Sequence, residues 1–272
     1  MSTFVITGGT GSFGSSFASH LLSNTPHKVR IVDRSEAKME RMMALYPPDA
    51  RTTYVIGDIR DRERLTTAFH GADVIVHAAA LKIVPLGEVH AQEFFKTNIL
   101  GTFNCIEAAI ANHASVKKFL FVSSDKGCVP YNGYGKSKAV GEWLVTAANL
   151  HSHGVRFASV RGGNVWNSRG SVIEKWSAYN GPIRVYGKDV TRFHLSMDYW
   201  LEFCLKAIHN THGGEVFVPK CSAWNLANLA SAFCEVFPDR PTEICPSRYG
   251  DKPNETLISE HEFSSSIDLD WG

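Results

Sequence analysis

The sequence predicts an α/β fold: a doubly wound parallel sheet with a smaller C-terminal lobe. Two observations carry that expectation. Through the first two thirds of the 272 residues, short apolar runs of β character alternate with longer segments whose apolar positions recur every three or four residues. The first of these runs also feeds directly into a glycine triplet, Gly8, Gly11 and Gly14, that opens a helical segment.

In chain order, the strand candidates are Phe4 to Thr7, Lys28 to Val32, Thr53 to Ile56, Val74 to His77, Phe119 to Ser123 and Arg156 to Arg161. Between them, Phe13 to Ser23, Glu36 to Leu45, Arg62 to Phe69, Gln92 to Asn112 and Gly135 to Ala148 have helical periodicity. After about Asn164 the pattern loosens. The turn signals Asn167-Ser168-Arg169-Gly170, Asn180-Gly181-Pro182 and Asp251-Lys252-Pro253-Asn254 then separate shorter elements.

A strand followed by G-x-x-G-x-x-G and a helix is a phosphate-binding turn. Glycine lets the backbone turn tightly and approach a pyrophosphate, which then meets the N–H groups at the helix start. The turn makes the first part a Rossmann-type domain, residues 1–163. A substrate-binding lobe, 164–272, follows and is partly interleaved with it. The second strand leads into Asp33, nineteen positions beyond Gly14 and suited to the adenosine ribose of NAD. Arg34 and Lys38 follow and could instead pair with the 2′-phosphate of NADP. Asp58 follows the third strand, where it either contacts adenine or caps the next helix.

Tyr134 and Lys138 stand four apart at the start of a helix and so share one face. An ammonium beside a phenol lowers its pKa and makes the phenolate available as a base towards a substrate hydroxyl. The fifth strand runs into Ser124-Asp125-Lys126, at the end of the sheet where open α/β folds bind ligands. Alcohol oxidation needs only a hydroxyl there, to help Tyr134. An acid and a base side by side suit a second proton transfer, in which the proton next to a newly formed ketone is removed while a leaving hydroxyl is protonated. The plainer readings are exposed helix residues for Tyr134 and Lys138 and a surface turn pair for Asp125 and Lys126.

Composition excludes other classes. A net charge of +1, with both signs spread along the chain, gives no footprint for nucleic acid or an anionic membrane. The six cysteines lie far apart without a CxxC pair, so reduced, mostly buried thiols are expected, and no metal. With neither a signal-peptide pattern nor a long apolar run, the expected location is cytoplasmic.

These motifs resemble a specific group: the inverting UDP-N-acetylglucosamine 4,6-dehydratases of pseudaminic-acid and capsular-sugar biosynthesis, within the extended short-chain dehydrogenases. The similarity runs almost end to end. It covers Thr7 to Gly14, His77-Ala78-Ala79-Ala80-Leu81-Lys82 with Val84-Pro85 and Glu88, and Lys96 to Thr102. It continues through Ser123 to Lys126, Tyr134-Gly135, Ser137-Lys138, Val160-Arg161, Gly163 to Val165, Ser168 to Ile173, Thr191-Arg192-Phe193 and His212 to Lys220. Arg248, Gly250, Lys252 and Glu255 complete it, with Asp251 in place of a family glutamate.

The resemblance implies that Tyr134 takes the C4 hydroxyl proton as hydride passes to the nicotinamide, helped by Ser124, and that Lys138 tunes Tyr134 and holds the cofactor ribose. Lys126 removes the C5 proton and Asp125 helps expel the C6 hydroxyl. Hydride then returns to C6, C5 is inverted, and the cofactor is recycled. Cofactor contacts are implied for Gly8, Thr10, Gly11, Ser12, Phe13, Gly14, Asp33, Arg34, Lys38, Asp58, Ile59, Ala78, Ala79, Ala80, Lys82, Asn98, Tyr134 and Lys138. UDP-sugar contacts are implied for Lys82, Asn164, Arg169, Arg192, Arg248 and Glu255, the arginines suiting the diphosphate; Arg192 and Arg248 could instead be surface salt-bridge partners. The resemblance leans to NADP over NAD and to a homo-oligomer. Three features depart from the family pattern: Ile83 replaces a polar residue, Gly162 a tyrosine and Asp33 a serine, and the sequence also stops short of the family's usual length. A 4-epimerase or plain oxidoreductase, and a dinucleotide-sensing protein without turnover, are the competing readings.

Overall fold

A computed structural model describes residues 1–272. The first half alternates as expected: β1 (Thr3–Thr7), β2 (Lys28–Asp33), β3 (Thr52–Ile56), β4 (Val74–His77), β5 (Lys118–Val122) and β6 (Arg156–Val160). Then follow β7 (Asn164–Val165), β8 (Ile183–Tyr186), β9 (Thr191–Leu195), β10 (Val216–Phe217), β11 (Ala223–Asn225) and β12 (Thr242–Cys245). Seven strands make one parallel sheet in the order β10-β6-β5-β4-β1-β2-β3, so the order reverses beside β1. The crevice at such a reversal, at the carboxyl ends of the strands, is where open α/β sheets bind ligands.

Successive residues of β1 explain why its apolar run is continuous. Phe4 and Ile6 enter a core on one face with Phe17, Leu21, Trp200 and Phe203, while Val5 enters a core on the other face with Leu65, Phe69, Phe119 and Phe157. A strand covered on both faces has no polar side to show. The residues after 164 divide between two bodies. The helix Met197–Asn210 packs on the first face, and β10 extends the large sheet by pairing Val216 with Ser159. A separate small core of Trp176, Ile183, Val185, Leu229, Ala230 and Phe233 holds the lobe.

The expected helix over Gln92 to Asn112 is interrupted. A short helix, Ala91–Phe94, passes into a π-helical stretch, Phe95–Leu100, before the regular helix Gly101–Ala111. Within that stretch the Asn98 side chain clamps Leu81, accepting from its N–H and donating to its carbonyl, both at 2.8 Å. A widened turn at a functional residue is a recurrent use of π-helix, and apolar periodicity carries no sign of it. No helix is long and apolar enough to cross a membrane. All six cysteines are free; three are buried and three partly exposed, so the thiols are less uniformly buried than expected.

Candidate active site

The glycine turn is shaped for a dinucleotide. Gly8 has φ +66°, and a Cβ there would lie 2.7 Å from the Ala79 backbone; a Cβ on Gly14 would collide with the Gly8 carbonyl. Gly11 would meet only the Gly8 carbonyl, at 3.1 Å. The helix Ser12–Asn24 that follows has no side chain capping its N-terminus, whereas Asp61, Asn132, Ser171, Ser196 and Asn225 cap theirs. Its first N–H groups therefore remain free for an anion. The Phe13 side chain instead joins the core, 5.4 Å from the Phe17 ring.

At the tip of β2, Asp33 Oδ2 accepts from the Thr10 hydroxyl at 2.6 Å and the Thr10 N–H at 3.2 Å, while Oδ1 accepts from Ser35 N–H at 3.0 Å. Arg34 turns to Asp58, 3.4 Å away. Asp61, not Asp58, caps the next helix, so the capping alternative for Asp58 falls away. Ile59 is buried against Gly101. Lys38 lines a groove of about 570 Å³ with Thr10, Arg41 and Arg169.

The fifth strand delivers the chemistry. Asp125 is fully buried; its Oδ1 accepts from the Ser124 hydroxyl at 2.8 Å and from the Lys126 ammonium at 3.2 Å, and its Oδ2 has no partner. Glu255, also buried, lies 3.7 Å from Lys126 and 3.6 Å from Lys252. Tyr134 and Lys138 are buried on the facing helix, and Ser124 lies by the Tyr134 phenol. Both plainer readings, exposed helix residues and a surface turn pair, are therefore overturned.

One electrostatic expectation is corrected. Burial drives the Tyr134 phenol well above its ordinary value, Ser124 opposes this and the Asp125 charge adds to it. Lys138 does not pull the phenol down, because its Nζ donates to the Val122 carbonyl at 2.6 Å and lies 4.3 Å from the centre of the Phe121 ring. Burial brings Lys138 down to about 7, against the charge of Glu142.

The implied substrate residues scatter more. Arg169 sits over the glycine turn, its N–H donating to Ser12 Oγ at 2.9 Å. Lys82 is exposed as a residue, but partial burial of its ammonium, then Arg169 and Lys175, hold it below the usual lysine value, with Glu174 opposing. Asn164 begins β7 and pairs with His194. Arg192 is buried, not a surface ion-pair partner, and one guanidinium nitrogen donates to Thr191 and Pro253 carbonyls at 2.7 and 3.0 Å. Arg248 is a surface ion pair with Asp251 at 2.9 Å, stacked 4.7 Å from the Tyr186 ring centre. Gly162 leaves room for Trp200, whose ring lies 2.7 Å from where a Cβ would be, which accounts for the missing tyrosine.

Three features escaped the sequence reading. Buried Arg161 grips Glu142 and Glu262, at 2.6 and 2.8 Å. His77, at the end of β4, bonds Thr7 at 2.6 Å and Thr102 at 3.0 Å. His194 pairs with Asn164, two residues beyond the Gly162 carbonyl that accepts from Asp125 N–H. His77 and Arg161 stand in segments that carry the family resemblance but had no role there, and His194 had no sequence signal.

Fold and site together define a nicotinamide-dinucleotide enzyme of the extended short-chain dehydrogenase type. Residues 4–271 match the family described as polysaccharide biosynthesis protein, and the chain belongs to it. It is 38% identical over 265 residues to a Campylobacter jejuni protein named UDP-N-acetylglucosamine 4,6-dehydratase (inverting), covering 95% of this chain and 78% of that one. It is also 38% identical over 279 residues to a Rickettsia conorii protein named UDP-glucose 4-epimerase, covering 98% and 80%. Among solved structures, Pen from Bacillus thuringiensis superposes with a TM-score of 0.93 at 33% identity, covering 99% of this chain and 86% of that one.

Proposed function

We propose that the protein removes water across C5 and C6 of UDP-N-acetylglucosamine, with inversion at C5, giving a UDP-4-keto-6-deoxy-hexosamine. The observation that carries this reading is the buried Asp125–Lys126 pair, 3.2 Å apart, beside Tyr134. Bound NAD(P) supplies the redox chemistry, taking hydride from C4 and returning it to C6. Tyr134, a protonated phenol, relays the C4 hydroxyl proton: it passes its own proton towards Ser124 as it takes the substrate's. The ketone acidifies C5, whose proton Lys126 takes as the free amine while Asp125, as the acid, protonates the departing C6 oxygen. Transfer of one proton from Lys126 to Asp125 converts their ion pair into that acid and base. Glu255 holds the Lys126 ammonium from its other side. Lys82 and Arg169 suit the diphosphate, and Asn164 suits the sugar.

The dinucleotide fits Gly8, Gly11, Gly14 and the uncapped helix; Asn98 holds the Ala78-Ala79-Ala80-Leu81 segment against it through Leu81. Although the resemblance leans to NADP, Asp33 supports NAD, because a carboxylate held by Thr10 and Ser35 repels a 2′-phosphate. Exposed Phe95, Leu100 and Phe103, with Trp143 on the adjoining helix, support a homo-oligomer. Sedimentation of Phe103→Glu should show dissociation. The Rickettsia relatives favour a 4-epimerase as the second reading, but epimerisation gives Asp125 and Lys126 no proton to move. Incubation with UDP-N-acetylglucosamine in deuterated water decides: the reading requires loss of water and deuterium at C5. A product that keeps its C6 hydroxyl overturns it in favour of epimerisation, and no reaction overturns it outright.

A further inference from the structure

Both carboxylates beside Lys126 keep a buried oxygen without a hydrogen-bond partner, Asp125 Oδ2 and Glu255 Oε2, and so does one buried imidazole nitrogen, His194 Nε2. Leaving such an atom unsatisfied costs roughly 1 to 3 kcal/mol, so a buried imidazole nitrogen is retained where something else partners it. The backbone brings Asp125 and His194 into one neighbourhood. Asp125 N–H donates to the Gly162 carbonyl at 2.8 Å; two residues later Asn164 begins β7, and it pairs with His194 on β9.

His194 is 7% exposed, and its ring stacks on Trp166 with centroids 4.4 Å apart and an interplanar angle of 19°. The stack fixes the ring plane and leaves its edge to make hydrogen bonds. The charges of Asp125, Lys126 and Arg192 all reach the imidazole, and burial brings it down to about 4, so it is neutral at physiological pH. A neutral imidazole with Nε2–H donates one hydrogen bond and keeps its proton.

We propose that His194 is a further catalytic residue, whose Nε2–H donates to the same C6 hydroxyl oxygen that Asp125 protonates, so that the oxygen leaving as water is held by two donors. This rests on the dehydration reading above. In the step, the C5–H proton passes to Lys126 and the C5–H electron pair forms the C5=C6 double bond. The C6–O bond breaks as that double bond forms, and its oxygen takes the Asp125 proton and departs as water. His194 neither gains nor loses a proton; it stabilises charge developing on the departing oxygen. Tyr134 and the hydride exchange at C4 do not depend on it.

The test compares His194→Phe, which keeps a ring for Trp166 but no donor, with His194→Gln, which keeps a donor. The holoenzyme is given UDP-N-acetylglucosamine, and three things are followed: absorbance of the reduced nicotinamide, release of the dehydrated product and thermal stability. His194→Phe should still reduce the cofactor at the wild-type rate, accumulate it reduced and lose water about 100-fold more slowly, with KM nearly unchanged. His194→Gln should recover part of that loss. Dehydration at the wild-type rate in His194→Phe overturns the proposal. So does an equal fall in cofactor reduction and water loss, which a merely structural role would give.

A measurement on unmutated protein covers the case in which the variants fail to fold. In 15N-histidine-labelled protein, one buried imidazole N–H should shift on adding UDP-N-acetylglucosamine, and no such shift counts against His194. Failure of the wild type itself to release water would instead overturn the dehydration reading, which separates the two.

Discussion

Asp33 and Thr10 are joined twice: Oδ2 of the carboxylate accepts from the threonine hydroxyl at 2.6 Å and from its backbone N–H at 3.2 Å. The tip of the second strand is thereby tied to the phosphate-binding turn, and a negative charge is fixed beside it. Asp33→Ser removes the charge and leaves Arg34, Lys38 and Arg41 to face a 2′-phosphate. The ratio of NADP to NAD affinity should rise about tenfold, equivalent to about 1.4 kcal/mol, in titrations followed by nicotinamide or protein fluorescence. An unchanged ratio would show that Asp33 does not set the preference.

Lys126 is the base that the proposed mechanism cannot replace. Its ammonium lies between two carboxylates, Asp125 and Glu255, and Lys126→Ala leaves both without it. Elimination should fall by about 100-fold or more, within the range typical of a lost general base, while the cofactor remains bound and becomes reduced on adding substrate. Mass measurement of the sugar nucleotide after hours of incubation checks this; ready loss of water by the variant removes Lys126 from the role.

The sheet and the reacting side chains were legible for a shared reason. Strands covered on both faces print continuous apolar runs, and the glycines, Asp125, Lys126, Tyr134 and Lys138 lie close to the strand ends that position them. What stayed hidden depends on contacts remote in sequence. Arg161 and Glu262 are 101 positions apart, and neither has a local pattern that announces the other. Arg248 and Arg192 were equivalent as motif arginines. Folding sends one to the surface and buries the other among carbonyls. The π-helical stretch at Asn98 alters hydrogen bonding without altering the spacing of apolar residues.

His77 makes the fold sensitive to acid. It is wholly buried and hydrogen-bonded to Thr7 and Thr102, and burial, with the charge of Lys138 adding, brings its pKa from 6.5 to about 3. The unfolded chain binds a proton below 6.5 that the folded chain refuses until about 3. This stabilisation is therefore complete above pH 6.5 and is lost as the pH falls through that window. Between about pH 7 and about pH 4.5 the loss from this group is on the order of 2 kcal/mol. Urea denaturation of the wild type and His77→Gln at both pH values measures it: the wild type should lose more stability than the variant over that interval, and equal losses would refute the assignment.

Arg161 connects stability to catalysis through the backbone. Its side chain is 4% exposed, its guanidinium is shared between Glu142 and Glu262, and Nη1 also donates to the Leu257 carbonyl at 2.7 Å. The same guanidinium brings Glu262 down to about 2, although partial burial opposes this, and Ser259 completes a capping box with Glu262. The segment so fixed begins two residues after Glu255, the carboxylate beside Lys126. Arg161→Met should leave buried Glu142 unpaired at a cost of about 3 to 5 kcal/mol, and residues 257–266 should become open to protease. If Leu257 sets the position of Glu255, Glu262→Gln, which keeps the fold and loosens the same clamp from its exposed end, should slow elimination more than hydride transfer. Limited proteolysis read by mass spectrometry, beside single-turnover rates for the two steps, tests both parts. A variant that is cut more readily yet dehydrates normally would confine the clamp to stability.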